Sequence, residues 1–374
     1  MGKTVKYGIL GCGMMGREHL LNLALIDGAQ VVAIAEPDGD MQARALELAP
    51  DASVFNDMQA LLDFPDLDAL VVATPNYQHG DQLSHIFSTT SLPVLIEKPV
   101  VTSLDQVQAI KAAADEHPAP VWVGMEYRYM PPIAAFKDRL REEQIGSLKM
   151  LTIREHRLPF LKKVGDWNRF NRNTGGTLVE KCCHFFDLMR LLSGQEVVRV
   201  YASVGQDVNH LDERYDGETP DIADNAYVIL DFSDGLRAML ELNMFADGSK
   251  YQEEICAVGP IGKLECFVPG PGEFWPANEL GPAPEPKLVF SPRDPMGPVE
   301  SSVTVEAALL AAGSHNGATF YEHQGFYRAI TEGSPIEVGA DDGLRAVVIG
   351  LAAHHSAETG NAVTLSPDGL SFED

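Results

Sequence analysis

Residues 175–192, GGTLVEKCCHFFDLMRLL, place acid, base and thiol side chains close together in the sequence. On a helix, Glu180, Cys183, His184 and Asp187 are spaced three and four residues apart, so they share one face. Such a face suits a metal centre, a thiol nucleophile or a proton-transfer site. A core helix with a few hydrogen-bonded polar side chains is the fourth interpretation.

Two of these four interpretations are weak on chemical grounds. A His and a Glu four residues apart can chelate zinc, but zinc needs further ligands, and none are suitably spaced. Cys183 has no partners for acyl transfer and is more typical of a small buried residue. We therefore predict that the chain has no metal site. The residues alone leave proton transfer and the core helix open.

A second candidate site lies near the N-terminus, in the segment GILGCGMMG. Gly11, Gly13 and Gly16 have G-x-G-x-x-G spacing between a predicted strand and a predicted helix. Glycines permit a tight turn there, and Met14 and Met15 then open a helix whose N-terminus can bind a pyrophosphate. This pattern in this setting predicts a dinucleotide site.

Glu36 ends the second predicted strand, where a carboxylate can bind both ribose hydroxyls of a dinucleotide. The next residues, Pro37 and Asp38, offer no cation for a 2′-phosphate. The sequence therefore predicts NAD as the cofactor, in preference to NADP.

The fourth and fifth predicted strands end in polar residues, in the segments ATPNYQH and EKP. In a doubly wound sheet, strand ends of this kind line the cofactor crevice. The residues predicted to contact the cofactor there are Thr74, Pro75, Asn76, His79, Glu97 and Lys98. Lys98 could instead be a solvated lysine paired with Glu97. In a partly dehydrated cleft, however, a lysine can lose basicity and relay protons.

The elements that position these residues fall into two parts. Over residues 5–124, short apolar strands alternate with amphipathic helices, which predicts a Rossmann-type, doubly wound parallel sheet. Later segments predict an α+β domain with a large, mainly antiparallel sheet, a loop at 269–298 and two closing helices. We place the domains at 1–126 and 127–374.

Composition excludes several functions. Asp and Glu total 54 against 28 Lys and Arg, and the resulting net charge of −26 repels nucleic acids and anionic membranes. No apolar stretch is long enough to span a bilayer, and the N-terminus does not match a signal peptide. The five cysteines have no C-x-x-C spacing, so we predict reduced thiols and a cytoplasmic protein.

Four motifs together resemble the glucose–fructose oxidoreductase/inositol dehydrogenase/MocA family. They are G-x-G-x-x-G at 11–16, T-P-N-x-x-H at 74–79, E-K-P at 97–99 and G-G-x-L at 175–178. The resemblance implies a Rossmann domain followed by a domain whose open sheet forms oligomer contacts, giving a homodimer or homotetramer. It also implies oxidation of a secondary hydroxyl of a sugar or cyclitol with a nicotinamide cofactor.

The resemblance assigns roles within the opening stretch. The family pattern after the two glycines is similar to L-x-D-x-G-x-H-x-x-D. His184 then falls on the family's catalytic histidine and Lys98 on its catalytic lysine. Glu180 replaces the usual Asp and Cys182 the usual Gly, and the first departure leaves the substrate open. We predict Lys98, His184 and Glu180 as catalytic residues, the last two also binding substrate. His184 would take the hydroxyl proton, Lys98 as a cation would stabilise the developing alkoxide, and Glu180 would orient the substrate.

Further substrate contacts are predicted on either side of this pattern. The polar segment 154–174 suits a polyol pocket, with His156 as a contact and Trp167 stacking on a sugar or cofactor, although a basic surface loop is an alternative. Tyr127 and Arg128 follow the last Rossmann strand and should lie near the crevice. The predicted function is an NAD-dependent sugar or cyclitol dehydrogenase. An NAD-dependent glycosidase and a non-catalytic NAD(H)-binding regulator are the alternatives.

Overall fold

The computed structural model describes residues 4–373, beginning with a six-stranded sheet. Its strands are β1 (Val5–Leu10), β2 (Ala29–Ala35), β3 (Ser53–Phe55), β4 (Ala69–Val72), β5 (Val94–Glu97) and β6 (Val121–Gly124). All of them run parallel, in the order β3-β2-β1-β4-β5-β6. The order reverses between β1 and β4, which leaves a crevice at their carboxyl ends. This arrangement confirms the predicted Rossmann sheet.

Helices connect these strands. They are α1 (Met14–Leu23), α2 (Gly39–Leu48), α3 (Met58–Leu62), α4 (His79–Thr89) and α5 (Leu104–Glu116). Every residue of β4 and β5 is buried, because helices cover both faces of the sheet. The continuous apolar character of these strands in the sequence has this physical cause.

The second sheet has nine strands. They are β7 (Met150–His156), β8 (Val197–Gly205), β9 (Asn225–Phe232), β10 (Arg237–Asn243), β11 (Glu253–Val258), β12 (Gly262–Val268), β13 (Lys287–Pro292), β14 (Val299–Ser302) and β15 (Val363–Thr364). Their order is β14-β13-β12-β11-β7-β10-β9-β8-β15, and only β7 and β10 pair in parallel. The predicted mainly antiparallel sheet is confirmed.

One face of this second sheet is buried and the other is open. In β9, Val228 and Leu230 are buried, whereas Tyr227 and Ile229 between them are 55% and 48% exposed. The alternation follows from the two-residue period of a strand. The open face therefore presents apolar side chains to its surroundings.

Eight more helices complete the described chain. They are α6 (Pro131–Arg141), α7 (Asn171–Thr174), α8 (Thr177–Glu180), α9 (Cys183–Ser193), α10 (Ala277–Leu280), α11 (Ala307–Ala311), α12 (Ala318–Glu332) and α13 (Ala340–Thr359). Helix α12 returns to the first sheet, where Phe326 packs against Tyr7 and Trp122. Residues beyond 126 thus contribute to the core of the first sheet, and the boundary at 126 stays a prediction.

Two details differ from the sequence predictions. The predicted loop at 269–298 contains β13, because Leu288 and Val289 are buried as the strand pairs with β12 and β14. The predicted helical face at 180–187 is interrupted, since one helix ends at Glu180 and the next begins at Cys183. Glu180 and His184 therefore lie on different helices.

Candidate active site

The glycine-rich turn between β1 and α1 forms one wall of a cavity of about 670 Å³, here called the outer cavity. Gly11 has a φ of +89°, and a Cβ on it would lie 2.7 Å from the carbonyl oxygen of Ala73. A Cβ on Gly16 would lie 2.1 Å from the carbonyl oxygen of Gly11. Both glycines are thus needed for the close approach of turn, strand and helix.

Gly13 differs from its two neighbours in the motif. It lines the outer cavity, and a Cβ there would meet nothing within 4 Å, so a side chain would occupy the cavity itself. Met14 and Met15, at the start of α1, also line the cavity. The turn and helix N-terminus therefore form a cradle that suits the pyrophosphate of a dinucleotide.

Glu36 lies at the end of β2 and lines the same cavity. Its two carboxylate oxygens accept hydrogen bonds from the backbone N–H groups of Cys12 at 2.7 Å and Asp38 at 3.0 Å. Each oxygen retains lone-pair capacity for a ribose hydroxyl. Arg17 and Arg44 line the cavity as well, and the sequence analysis did not anticipate these two cations.

The segment after β4 lines the cavity through Thr74, Pro75 and Asn76. His79 does not line it. Its ring is fully buried, with Nδ1 2.7 Å from the carbonyl oxygen of Pro99 and Nε2 3.0 Å from that of Thr74. Burial lowers the pKa of His79, so a neutral ring donates to one of these oxygens. His79 therefore supports the cavity wall from behind.

Glu97 and Lys98 end β5 on the cavity wall. The carboxylate of Glu97 contacts His19, whose Nε2 lies 2.9 Å away. Glu97 is therefore not the ion-pair partner of a solvated Lys98, which was the alternative interpretation of this lysine. Lys98 Nζ instead donates a hydrogen bond to the backbone carbonyl of Glu180 at 3.0 Å. The fit of these donors and glycines supports NAD in the outer cavity.

A smaller cavity of about 150 Å³, here called the inner cavity, adjoins the outer one at Met14, Met15, Lys98 and Lys163. Glu180 and His184 both line it. The structure thus brings the three predicted catalytic residues together in the wall of the inner cavity, and Lys98 also lines the outer one.

The charge states in the inner cavity follow from burial and neighbours. Burial opposes the charge of Lys98, but Glu180 and other nearby acids raise its pKa above the usual value. Lys98 therefore stays a cation, which suits its predicted role in stabilising an alkoxide and does not suit the proton relay that was the other prediction for this lysine. Burial, with Lys98 and Lys181 nearby, holds the pKa of His184 well below its usual value, so its imidazole is neutral.

Glu180 is a fixed, ionised carboxylate. Burial would raise its pKa, but Lys98 and Lys163 lower it below the usual value. Lys163 Nζ lies 3.4 Å from Oε1, and the side-chain amide of Asn76 donates to Oε2. These contacts fix the direction of the carboxylate.

The other predicted substrate contacts have different outcomes. Tyr127 lines the inner cavity and stacks on His184 with ring centroids 4.3 Å apart. Trp167 lines the outer cavity, with the ammonium of Lys163 4.6 Å from its ring centroid. His156 lines neither cavity, because it lies on the exposed side of β7 and pairs with Glu241.

Arg128 also lines neither cavity, which corrects the prediction that it contacts substrate. Its guanidinium is buried and makes two hydrogen bonds to the carboxylate of Asp187 and one to the backbone carbonyl of Glu337. An arginine in the turn after β6 can thus point away from the crevice and join α9 to the C-terminal helices.

Several lining residues of the inner cavity were missed from the sequence. Glu126 and His315 line it, as do Arg157 and Lys163. Lys163 lies in the polar segment suggested as a polyol pocket, but no pattern singled it out. His315 lies in the turn before α12, and nothing in the sequence around it indicates a site.

The thiol and metal interpretations find no structural support. Cys183 is fully buried, and burial raises its pKa to about 12, which disfavours a thiolate nucleophile. All five cysteines are free. Within residues 4–373, no group of three or more His, Cys, Asp or Glu side chains is arranged to hold a metal ion. No helix in that same range is long and apolar enough to cross a membrane.

Comparison with known proteins extends this description. Inositol 2-dehydrogenase 2 of Saccharopolyspora erythraea is 28% identical over 268 residues, covering 71% of this chain and 74% of the relative. The rhizopine catabolism protein MocA of Rhizobium meliloti is 23% identical over 277 residues, covering 74% and 83%.

Solved structures share the fold over almost the whole chain. Levoglucosan dehydrogenase in complex with NADH superposes with a TM-score of 0.80 at 20% identity, covering 97% of this chain and 99% of the other. An oxidoreductase from Agrobacterium radiobacter in complex with NAD⁺, L-tartaric acid and magnesium gives 0.80 at 17% identity, covering 97% and 98%.

Two family models cover most of the sequence. The model described as "Oxidoreductase family, NAD-binding Rossmann fold" matches residues 5–125. The model described as "Oxidoreductase family, C-terminal alpha/beta domain" matches residues 137–365. The chain therefore belongs to the glucose–fructose oxidoreductase/inositol dehydrogenase/MocA family of NAD-dependent oxidoreductases.

Proposed function

We propose that this protein is a dehydrogenase that oxidises one secondary hydroxyl of a sugar, a sugar derivative or an inositol-like cyclitol. One observation carries the proposal: Lys98, Glu180 and His184 line the same inner cavity, where their surroundings favour a cationic lysine, an ionised carboxylate and a neutral imidazole. Oxidation of an alcohol requires a proton acceptor and a group that stabilises charge on oxygen, and these side chains offer both.

The roles follow from the charge states. Bound NAD supplies the hydride acceptor. His184 accepts the hydroxyl proton on Nε2, because its Nδ1 is buried without a hydrogen-bond partner among residues 4–373. Lys98 donates to the same hydroxyl oxygen and stabilises the negative charge that develops there. Glu180 accepts a hydrogen bond from a neighbouring hydroxyl and so orients the substrate.

The inner cavity supports a polyol as the substrate class. Its wall combines charged groups with Tyr127 and Phe160, a mixture that suits a polar ring. Named relatives include an inositol 2-dehydrogenase and a levoglucosan dehydrogenase, which act on compounds of this class. The substrate-binding roles of Tyr127 and Trp167 remain part of the proposal.

We also infer that NAD is preferred over NADP. The Glu36 carboxylate is fixed by two backbone hydrogen bonds and would meet a 2′-phosphate with like charge. Arg17 donates one guanidinium hydrogen bond to the carbonyl oxygen of Cys12 at 3.0 Å and keeps further donors. Arg17 and Arg44 are cations that could favour a phosphate in this cavity, and they make cofactor choice a useful test.

We also propose how the protein assembles and where it is located. The open face of the second sheet exposes Tyr201, Tyr227 and Ile229, which supports a homodimer or homotetramer formed through that face. A cytoplasmic location stays a prediction from the cysteine pattern.

A substrate panel tests the proposed function. Inositols, aldoses, anhydrosugars and nitrophenyl glycosides would be supplied with NAD or NADP, while NADH absorbance and nitrophenol release are followed together. We expect NADH from at least one free polyol. Nitrophenol release without net NADH would indicate the NAD-dependent glycosidase instead. Absence of both products would favour the non-catalytic regulator.

A further inference from the structure

We propose that Glu126 carries the substrate's hydroxyl proton from His184 to His315, and that His315 releases it to water. Glu126 and His315 act through His184 without touching the substrate, and they return its imidazole to the neutral form after each turnover. The inference rests on the proposed function, because it needs His184 to accept the proton.

The three side chains form a continuous line. The Nε2 atom of His184 lies 3.5 Å from Oε1 of Glu126, and the same oxygen lies 3.6 Å from Nε2 of His315. These separations are slightly longer than a hydrogen bond, and catalytic contacts of this kind commonly shorten when substrate binds. One carboxylate oxygen thus lies between two imidazoles.

Burial decreases along this line. The side chains of His184 and Glu126 are each 2% exposed, whereas that of His315 is 22% exposed. A proton on His315 is therefore closer to solvent than one on His184. The direction of the pathway follows from this gradient.

The two ends are anchored differently. Tyr127 stacks on the ring of His184, and Nδ1 of His315 lies 2.8 Å from a carboxylate oxygen of Glu18. Glu18 in turn accepts hydrogen bonds from Thr319 and from the backbone N–H of Ser314. The outer histidine is therefore held in place, with its Nε2 left to face Glu126.

His184 needs such a partner because of its surroundings. Besides burial, the cations Lys98, Lys181, His315 and Arg157 all disfavour a proton on its ring. A proton taken from the substrate would therefore be unstable there. Among the residues that the structure describes, Glu126 is the carboxylate within 4 Å of the imidazole, so it is the acceptor available to His184.

Glu126 and His315 have suitable proton affinities. Burial raises the pKa of Glu126 to about 7, with His315 and Lys98 opposing the rise and Glu97 adding to it. Burial and the nearby Lys181 disfavour a proton on His315. Glu18 and Glu126 favour it more strongly, and they raise the pKa of His315 to about 9.

Glu322 is a second buried acid close enough to Glu126 to interact with it. Glu322 on α12 has a pKa well above its usual value, first because of burial and then because of Glu126 and Glu97. Glu322 is therefore neutral and leaves the charge balance between Glu126 and the histidines unchanged.

The proton transfers balance. The substrate O–H bond breaks as an N–H bond forms on His184, and that bond breaks as an O–H bond forms on Glu126. Once product has left the inner cavity, His315 releases its Nε2 proton to water there, and the free Nε2 then takes the proton from the O–H bond of Glu126, which becomes a carboxylate again. The electrons leave with the hydride of the proposed reaction, so no other oxidant is needed.

Histidine titration followed by NMR tests the coupling without turnover. The protein would be labelled at its histidines, held with NAD, and compared with E126Q and H315N. Removing the carboxylate should lower the pKa of His184 further and also lower that of His315. Removing the His315 cation should raise the pKa of His184. Opposite shifts of His184 in the two variants are expected, and unchanged titration in both would overturn the coupling.

Turnover tests the pathway itself, using the polyol of the panel that reduces NAD fastest. E126Q should lower kcat by about 10-fold to 100-fold, with little change in KM, and should remove the ionisation near neutral pH from the kcat profile. E126D should recover part of the rate, because a shorter carboxylate can still exchange protons. E322Q is the matched control and should keep the wild-type profile.

The outcomes separate the two proposals. A wild-type kcat profile in E126Q would overturn the pathway while the dehydrogenase function stands. If no polyol reduces NAD, the proposed function fails, and the pathway fails with it even if the histidine titrations shift as described.

Discussion

The outer and inner cavities of this protein are built in opposite ways. The outer cavity is formed largely by backbone turns at the ends of neighbouring parallel strands, near Gly13, Glu36, Thr74 and Lys98. The inner cavity is formed by side chains from distant parts of the chain, such as Glu126, His184 and His315. Cofactor binding thus depends on local motifs, whereas the proposed substrate site depends on tertiary packing.

The two cavities also differ in what fixes their charged groups: the backbone in the outer cavity and other side chains in the inner one. Glu36 in the outer cavity is fixed by backbone hydrogen bonds. In the inner cavity, buried groups set each other's proton affinity, so His184 is neutral while His315 holds its proton. A substitution in the outer cavity should therefore change cofactor choice, and one in the inner cavity should change turnover and its pH dependence.

The largest effect is expected at Lys98, where the cavities join. Lys98→Met removes the cation that stabilises charge on the substrate oxygen and should lower kcat by about 100-fold or more. Binding of NAD, measured by fluorescence titration, should change little. The exposed Lys149→Met is the matched control. Equal loss of NAD affinity and turnover would place Lys98 with the outer cavity instead.

Most of the outer cavity could be predicted from the sequence because its parts are contiguous. The glycine turn, Glu36 and the strand-end segments each occupy a few neighbouring residues, and the parallel sheet brings them together. His79 was placed in the right region, but its side chain supports the wall from behind.

The inner cavity was predicted only where a motif existed. Lys98, Glu180 and His184 were found, whereas Glu126 and His315 were not, because their meeting depends on α12 packing against the turn after β6. Arg128 and His156 were assigned to the site by proximity in sequence. A side chain's direction there is set by its strand face or by a buried ion pair.

A substitution of Arg128 tests whether this residue stabilises the fold through Asp187 or contacts the substrate. Arg128→Met leaves the carboxylate of Asp187 buried without its main partner and should cost about 3–5 kcal/mol of unfolding free energy. Denaturant titration measures this loss. KM should stay near wild type in the folded protein. Arg199→Met, which breaks an exposed ion pair with Asp231, should cost much less. A raised KM with unchanged stability would return Arg128 to the substrate site.

Glu180 tests how closely the inner cavity fits its substrate. Glu180→Asp keeps the charge but withdraws the carboxylate by one C–C bond, while Glu180→Gln keeps the length and removes the charge. Both should lower kcat/KM on the native substrate by about 10-fold or more, because a misplaced substrate loses alignment for hydride transfer. Steady-state kinetics across the panel measure this. Wild-type kinetics for the Asp variant would make Glu180 a structural carboxylate.

Substitution of Glu36 should have the smallest effect of the series, and it should change only the preference between NAD and NADP. Glu36→Ala removes the like charge facing a 2′-phosphate and should raise kcat/KM with NADP by about 10-fold. The Ala variant should leave kcat with NAD near wild type. Glu36→Arg should shift the preference further. A wild-type enzyme that uses NADP as efficiently as NAD would show that Arg17 and Arg44 outweigh Glu36.

The central claim is that His184 accepts the proton of a substrate hydroxyl in an NAD-dependent oxidation. The most direct measurement compares wild type with His184→Ala for NADH formation on the active polyol, together with NAD affinity. We expect turnover to fall by about 100-fold or more while NAD affinity stays within about twofold. A folded His184→Ala variant that turns over at the wild-type rate would contradict the claim and make His184 a core residue.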